Sequence, residues 1–229
     1  IAFRVLDLLN YYNARLFVPR DQGCCGIPAL ASGDTDTFEQ LVRIHVELFS
    51  SEPFDYLVTA CATCTSTIIK MWPSLVKDRE LQKKAEAIAA KTVDISWLLV
   101  RRFGLKPINE SQVRTAVTYH DPCHLKKSLD IHEEPRMVIR AAGYRVKEMK
   151  KSDACCGMGG SFNLKHYELS KNIGLEKVHN IMETNCSMVA TSCPACMLQL
   201  SDLLAQQQSD IQVCHPVELY AQSIKPGSE

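Results

Sequence analysis

A doubled cysteine followed by glycine occurs twice in this chain, and each copy has a Cys-x-x-Cys behind it at nearly the same distance. Thirty-five residues separate Cys25 of Cys24-Cys25-Gly26 from Cys61-Ala62-Thr63-Cys64. Thirty-six separate Cys156 of Cys155-Cys156-Gly157 from Cys193-Pro194-Ala195-Cys196. The second copy also has a leading cysteine, Cys123, 31 residues ahead of its pair. Nine of the 11 cysteines fall into this one scheme, which marks two thiolate-rich sites on two copies of one structural unit. The cysteine count is odd, and 229 residues can build a core without covalent staples. In a reducing compartment, that favours metal thiolates over a disulfide framework.

Composition narrows the classes of function. Basic and acidic residues balance at 26 each, so no polyanionic partner is implied. No basic stripe interleaves with aromatics, which argues against nucleic acid. No apolar run approaches a membrane span, and no secretory leader is visible. The expectation is a cytoplasmic protein that reaches a membrane, if at all, only peripherally through a partner. The chain opens in a helical pattern (Ile1, Val5, Leu8, Leu9) without Met, which predicts that the natural protein starts earlier.

Short apolar runs rich in β-branched residues precede the cysteines. Residues 56–60 and 187–191 lead to the two Cys-x-x-Cys motifs, and 115–119 runs into His120-Asp121-Pro122-Cys123. Residues 14–18 and 144–149 come before the two cysteine pairs. All read as strands, so each motif cysteine is expected just past a strand's carboxyl end. Helical patterns lie between them. Asp36 with Glu39 resembles a capping arrangement, followed by Phe38, Leu41, Val42, His45, Leu48 and Phe49 at helical spacing. The later counterpart spans about 163–183, with Leu175, Val178 and Met182 on one face and Gly174 inside it. Each unit closes with a strand and a helix, at 91–101 and 211–222. Such alternation predicts an α/β protein with parallel sheets. The turn-rich stretch 103–112 predicts a boundary that divides the chain into units 1–108 and 109–229. In open α/β sheets, ligands sit beyond the carboxyl ends of the strands, the edge on which the cysteines fall.

Thiolates at a strand end that turns into a helix are stabilised by the helix N-terminus. Adjacent cysteines fit poorly around one tetrahedral zinc ion but can serve neighbouring irons of a cluster. The glycine-rich run Gly157-Met158-Gly159-Gly160 offers free backbone N–H groups to an anionic cluster, and hydrogen bonds to sulfur tune its potential. Gly157, Gly159 and Gly160 are therefore the expected cofactor cradle. They are not a dinucleotide site, because no Gly-x-Gly-x-x-Gly follows a strand with an acidic residue about 20 residues on.

Taken together, Cys123, Cys155-Cys156-Gly157 and Cys193-Pro194-Ala195-Cys196, with the shorter copy at Cys24-Cys25-Gly26 and Cys61–Cys64, resemble the cysteine-rich CCG domain family. That family includes the cysteine-rich subunit of heterodisulfide reductase and the iron–sulfur subunits of glycolate and lactate oxidation. The resemblance covers nearly the whole chain. It implies two tandem Rossmann-like units, each able to hold a [4Fe–4S] cluster, in some members of a noncubane form. Cys123, Cys155, Cys156, Cys193 and Cys196 would ligate one cluster. Cys24, Cys25, Cys61 and Cys64 would ligate the other or, as in some members, zinc. The first copy lacks a leading cysteine, which by analogy lies before Ile1. The implied role is electron transfer within an oxidoreductase complex, with a flavoprotein, a ferredoxin-type subunit or both as partners. Paired ferredoxin-type motifs, fused to some relatives, are absent from this sequence.

Two other readings stand beside this one. A zinc-stabilised scaffold that only binds partners would use the same thiolates. A thiol–disulfide oxidoreductase would use Cys-x-x-Cys directly but leaves the doubled cysteines unexplained. Cys186 and Cys214 lie outside the scheme and read as small buried hydrophobes. His120 and His124 flank Cys123, either as proton carriers and donors to a cluster or as strand-end hydrogen-bonding groups. His45 reads as a satisfied core residue, and His215 as a cap on the last helix. Lys126, Lys127 and Arg136 read as a solvated basic face, with offsetting cluster charge or docking an acidic partner as the alternatives.

Overall fold

The computed structural model describes residues 1–107 and 114–224; the expected boundary at 108/109 lies outside them. The first half runs α1 (Ala2–Tyr11), α2 (Ile27–Ala31), α3 (Thr35–Phe49), β1 (Leu57–Thr59), α4 (Ala62–Ser66), a π turn Thr67–Met71, α5 (Trp72–Leu75), α6 (Arg79–Ala89), β2 (Thr92–Asp94), α7 (Ile95–Leu98) and a second π turn Leu99–Phe103. The second half runs β3 (Arg114–Tyr119), α8 (Cys123–Leu129), α9 (Glu133–Ala141), β4 (Tyr144–Val146), α10 (Ser161–Lys165), α11 (Tyr167–Met182), β5 (Met188–Ala190), α12 (Pro194–Gln206), β6 (Gln212–Cys214) and α13 (Pro216–Ile224).

All strand pairs are parallel, as the alternating pattern predicts. β1 lies beside β2, with Val58 opposite Val93. The second sheet has the order β4-β3-β5-β6, with Thr118 opposite Val189 and Ala190 opposite Cys214. β1 and β2 stand in the first half where β5 and β6 stand in the second. The chain is α/β, with parallel sheets whose carboxyl edges carry the site.

The structure corrects several local expectations. Residues 14–18 are irregular rather than a strand, and Phe17 and Val18 are exposed. Their counterpart β4 is held by β3. Asp34, not Asp36, caps α3, its carboxylate accepting from the Thr37 N–H at 3.0 Å. The helix expected over 163–183 continues through Gly174 and breaks instead at His166, between α10 and α11. Its buried face is Ser170, Gly174, Lys177, Val178 and Ile181, while Met182 points outward. A Cβ on Gly174 would stand 2.2 Å from Leu203 Cδ1 and 2.8 Å from the Cys156 carbonyl oxygen. The small residues thus let α11 press onto α12 and the cysteine loop.

One of the core clusters spans both halves, beside one built around Phe38 and Trp72 in the first half alone. Leu8, Ile95, Leu98 and Leu99 pack in the same cluster as Val117, Tyr119, Val138, Ile139 and Tyr220, all essentially inaccessible. Each such side chain stabilises by about 1.5–3 kcal/mol on burial. This seam therefore outweighs exposed ion pairs such as Lys77–Asp36, which contribute about 0–1 kcal/mol.

Candidate metal centre

The two Cys-x-x-Cys motifs adopt the same backbone. Cys61 (φ −143°, ψ 109°) and Cys193 (φ −135°, ψ 112°) are the extended residues that enter α4 and α12. Cys61 lies two residues past β1 and Cys193 three past β5, as expected from the strand-end placement. The motifs also touch. The Ala62 N–H donates to the Ser192 carbonyl at 2.9 Å. Thr63, between the first pair of thiols, places its Oγ1 3.3 Å from Cys193 Sγ and 3.2 Å from His124 Nδ1. Ser66 and Ser128 hydroxyls meet at 2.8 Å one turn further on.

The two Cys-Cys-Gly turns are likewise a matched pair. Cys24 and Cys155 are exposed, and Cys25 and Cys156 are buried, so adjacent cysteines face opposite ways. The glycine that follows is left-handed in both, with φ 92° at Gly26 and 91° at Gly157. Only glycine adopts this at no steric cost. Each also lies against the following long helix: a Cβ would stand 2.8 Å from Phe38 Cδ2 at Gly26, and 2.3 Å from the Ser170 carbonyl oxygen at Gly157. Neither pair directly follows a strand, since Cys155 stands nine residues beyond β4 and, among the described residues, no strand precedes Cys24. Other anchors replace the strand. His45 accepts from the Gly23 N–H at 2.9 Å through Nε2, with Nδ1 on the Leu41 carbonyl, which makes it the satisfied core residue the sequence suggests. Trp72 Nε1 donates to the Cys25 carbonyl at 2.9 Å. Ser170 Oγ donates to the Gly157 carbonyl at 2.8 Å.

The structure brings the thiols of both sets into one array. Cys25 lies within hydrogen-bonding reach of Cys64, Cys64 of Cys61, and Cys61 of Cys193. Cys193 reaches Cys196, Cys196 reaches Cys156, and Cys156 reaches Cys155. Cys123 is near enough to Cys156 and Cys193 to feel their charge, and Cys24 adjoins Cys25. Protons are shared unequally along this chain of sulfurs. Cys64 holds the Cys25 thiol down at about 6. Cys196, then Cys61, bring Cys193 down to about 2. Cys155, then Cys196, lower Cys156. Their partners move the other way: Cys193 pushes Cys61 up to about 12, and Cys64, Cys155 and Cys196 are also raised by the thiols they donate to. A metal that takes these sulfurs as thiolates displaces the protons they retain. The Gly157 N–H already donates to Cys155 Sγ at 3.3 Å. Gly159 and Gly160 follow with φ of 53° and 61°, and Gly160 caps α10.

The surroundings differ from expectation in their charges. Arg136 is buried, not on a solvated face. Its guanidinium grips the Asp121 carboxylate through two bonds, at 2.7 and 2.8 Å, and that of Glu148 through two more, at 2.7 and 2.8 Å, while stacking over Tyr119. Arg136 therefore fixes the loop that delivers Cys123. Lys126 adds a 3.6 Å pair to Asp121, and Lys127 is exposed. Lys177 is a site residue that the motifs do not mark. It is 1 % exposed, donates to the Lys151 carbonyl and lies 3.9 Å from Met149 Sδ, and burial lowers its pKa to about 8. Its place among Ser170, Gly174, Val178 and Ile181 at helical spacing is the signal that could have found it. Thr63 gave no signal, because its role depends on a contact between halves. His215 Nδ1 accepts from the Val217 N–H at 3.2 Å, capping α13 as expected, and burial lowers its pKa to about 4. Cys186 is buried and Cys214 packs against the core.

The sequence matches the CCG family, described as a cysteine-rich domain, over residues 4–69 and 117–201. The chain belongs to the CCG family. Relatives of this CCG protein include a subunit of fumarate reductase (CoM/CoB) from Methanothermobacter marburgensis, 31% identical over 221 residues, 96% of this chain and 42% of that protein. An uncharacterized iron-sulfur protein of Methanococcus maripaludis is 33% identical over 207 residues, 90% of this chain and 39% of its own. Lactate utilization protein A 2 of Bacillus cereus is 28% identical over 222 residues, 96% of this chain and 90% of its own. This CCG chain thus spans about two-fifths of the length of the first two and most of the third.

Proposed function

We propose that this chain is an iron–sulfur electron-transfer subunit of an oxidoreductase complex, serving hydroxy-acid oxidation of the lactate or glycolate type. The observation that carries the reading is the single array of soft thiols, eight cysteines linked by near contacts with Cys24 at its exposed end. So many soft donors exceed what one zinc ion takes and suit iron–sulfur ligation. Cys123, Cys155, Cys156, Cys193 and Cys196 would hold one [4Fe–4S] cluster, cubane or noncubane. Cys24, Cys25, Cys61 and Cys64 would hold a second, or a zinc ion. When bound, such a group carries single electrons at a potential set by nearby charge and hydrogen bonds. Backbone N–H groups at Gly157, Gly159 and Gly160 would donate to its sulfurs. Arg136 and Asp121 hold the Cys123 loop in register, and Lys177 ties α11 to the segment before Cys155. Thr63 bridges the two sites. The chain itself is read as two copies of one unit, residues 1–108 and 109–229.

Hydroxy-acid oxidation is preferred because the lactate utilization relative matches over 90% of its own length. Reductase chemistry on a disulfide, which the family resemblance also allows, is the alternative within the same class. Either way a flavoprotein, a ferredoxin-type subunit or both would be the electron partner. Among the described residues, no helix is long and apolar enough to cross a membrane; this reading places any membrane contact on such a partner.

Iron and acid-labile sulfide analysis of anaerobically isolated protein tests this reading. The expected result is iron and sulfide in near-equal amounts, at least four of each per chain, with a broad visible absorption that bleaches on reduction. Colourless protein with one or two zinc ions per chain overturns it in favour of the scaffold.

A further inference from the structure

His120 is 1 % exposed, and neither of its ring nitrogens has a hydrogen-bond partner. An imidazole buried with both nitrogens unmet is costly, and such groups are rare in folded proteins. The ring is not misplaced by slack in the chain. The His120 N–H is bonded to the Ala190 carbonyl at 2.9 Å, which ties it to β5. The next residue, Asp121, is fixed by its own N–H to Ser152 and by Arg136. Two sulfurs stand beside it: one ligand atom each of His120, Cys156 and Cys196 lie within 4.8 Å of one another, all three residues buried. Around one metal atom, with nitrogen at about 2.0 Å and sulfur at about 2.3 Å, ligand atoms stand roughly 3.5 Å apart. Inward movement of roughly an ångström would close this trio on a metal.

The geometry points to His120 as a nitrogen ligand of the metal centre held by Cys156 and Cys196. The inference rests on the reading that these two thiolates hold a metal, and it extends the donor set beyond cysteine. The ring lies close enough to Cys156 to interact with its thiolate but makes no well-aligned bond to it, so N–H donation to that sulfur is the competing role the test must separate. One nitrogen and two thiolates form a borderline-soft set suited to iron or zinc. A neutral imidazole added to the thiolates brings no negative charge of its own, unlike a further cysteine.

The test uses the full chain, isolated anaerobically with its centre and grown on 15N-histidine, measured by pulsed electron–nuclear double resonance. The expected result is a strongly coupled nitrogen that changes on labelling, is lost in His120→Gln, and persists in His124→Gln and His215→Gln. A coupling no larger than that of a hydrogen-bonded amide overturns the inference, as does one that survives His120→Gln. Should His120→Gln not fold, a wild-type signal retained in His124→Gln, His215→Gln and His45→Gln supports His120, since those three are the other imidazoles beside the cysteine motifs. If the metal proves to be zinc, the electron-transfer reading fails. This inference is then decided by X-ray absorption at the zinc edge, where imidazole scattering supports it and purely sulfur coordination overturns it.

Discussion

Gly157 shows how much of the site is decided by a single missing side chain. Its φ of 91° belongs to the left-handed region, and the space where a Cβ would stand is filled by the Ser170 carbonyl oxygen at 2.3 Å and the Gly174 nitrogen at 3.0 Å. Both obstacles are backbone, so neither can rotate away. Gly33 has a similar φ of 85° with nothing within 4 Å, and it separates conformational strain from steric collision. Gly33→Ala should cost about 1 kcal/mol, the strain of one left-handed alanine. Gly157→Ala should cost at least about 3 kcal/mol, because overpacking adds to that strain. It should also displace Cys156, the thiol next to it. Denaturant unfolding gives the first comparison and metal content of the purified variants the second: Gly33→Ala should retain full metal, and Gly157→Ala should lose metal from the second site. Equal destabilisation by the two variants would refute the steric account. The sequence exposes this residue through the repeat alone. Two Cys-Cys-Gly triplets in matching positions mark glycine as required, while the helix that makes it so lies 13 or more residues onward and becomes visible only in three dimensions.

At the scale of elements, α9 carries the interaction that sequence reading assigned wrongly. Arg136 lies on a helix dense in charge, Glu133-Glu134-Pro135-Arg136, and such runs are ordinarily solvated. Here the guanidinium turns inward because β3 delivers Asp121 and the segment after β4 delivers Glu148 to the same point. No local pattern encodes that meeting, since the carboxylates lie 15 residues before and 12 residues after the arginine. Strands that precede Cys61, Cys123 and Cys193 were legible, by contrast, because each is a short run of apolar and β-branched residues, the composition parallel strands favour. Residues 14–18 also read as a strand, but the structure leaves them irregular. Arg136→Met should destabilise by about 3–5 kcal/mol, the usual cost of leaving a buried carboxylate unpaired. Glu148→Gln should cost about 1 kcal/mol or less, because its side chain is half exposed and water can replace the bond. Equilibrium unfolding of both variants checks the order. If the two lose similar stability, Asp121 is not held by Arg136 in the way its geometry implies.

Over the whole molecule, the repeat predicts two equivalent units, and the packing makes them depend on one another. Leu8, Leu9, Ile95, Leu98 and Leu99 from the first half share a core with Val117, Tyr119, Val138 and Ile139 from the second. Ala62, at the start of α4, is buried in a second cluster, among Leu125, Val189 and Cys193; a third, around Phe38, Val42 and Trp72, belongs to the first half alone and is too small to replace the shared ones. The thiol contacts follow the same seam, running from Cys61 to Cys193. Sequence spacing could reveal the two copies but not their joining, because a contact between Thr63 and Cys193 has no periodicity to announce it. If the core were two separate cores, residues 1–107 made alone would fold and keep their own thiol site. The shared core predicts otherwise. Separation would expose at least five large aliphatic side chains of the first half, forfeiting about 1.5–3 kcal/mol for each, a sum comparable to the roughly 5–15 kcal/mol total stability of a typical domain. The fragment 1–107 should therefore show no cooperative thermal transition by circular dichroism and should aggregate. Mixing it with a separately produced 114–229 fragment under anaerobic conditions should restore a soluble complex with a cooperative transition. A fragment that melts cooperatively alone would show that the seam is an interface between finished domains, and the sulfur array would then be assembled by docking rather than by folding.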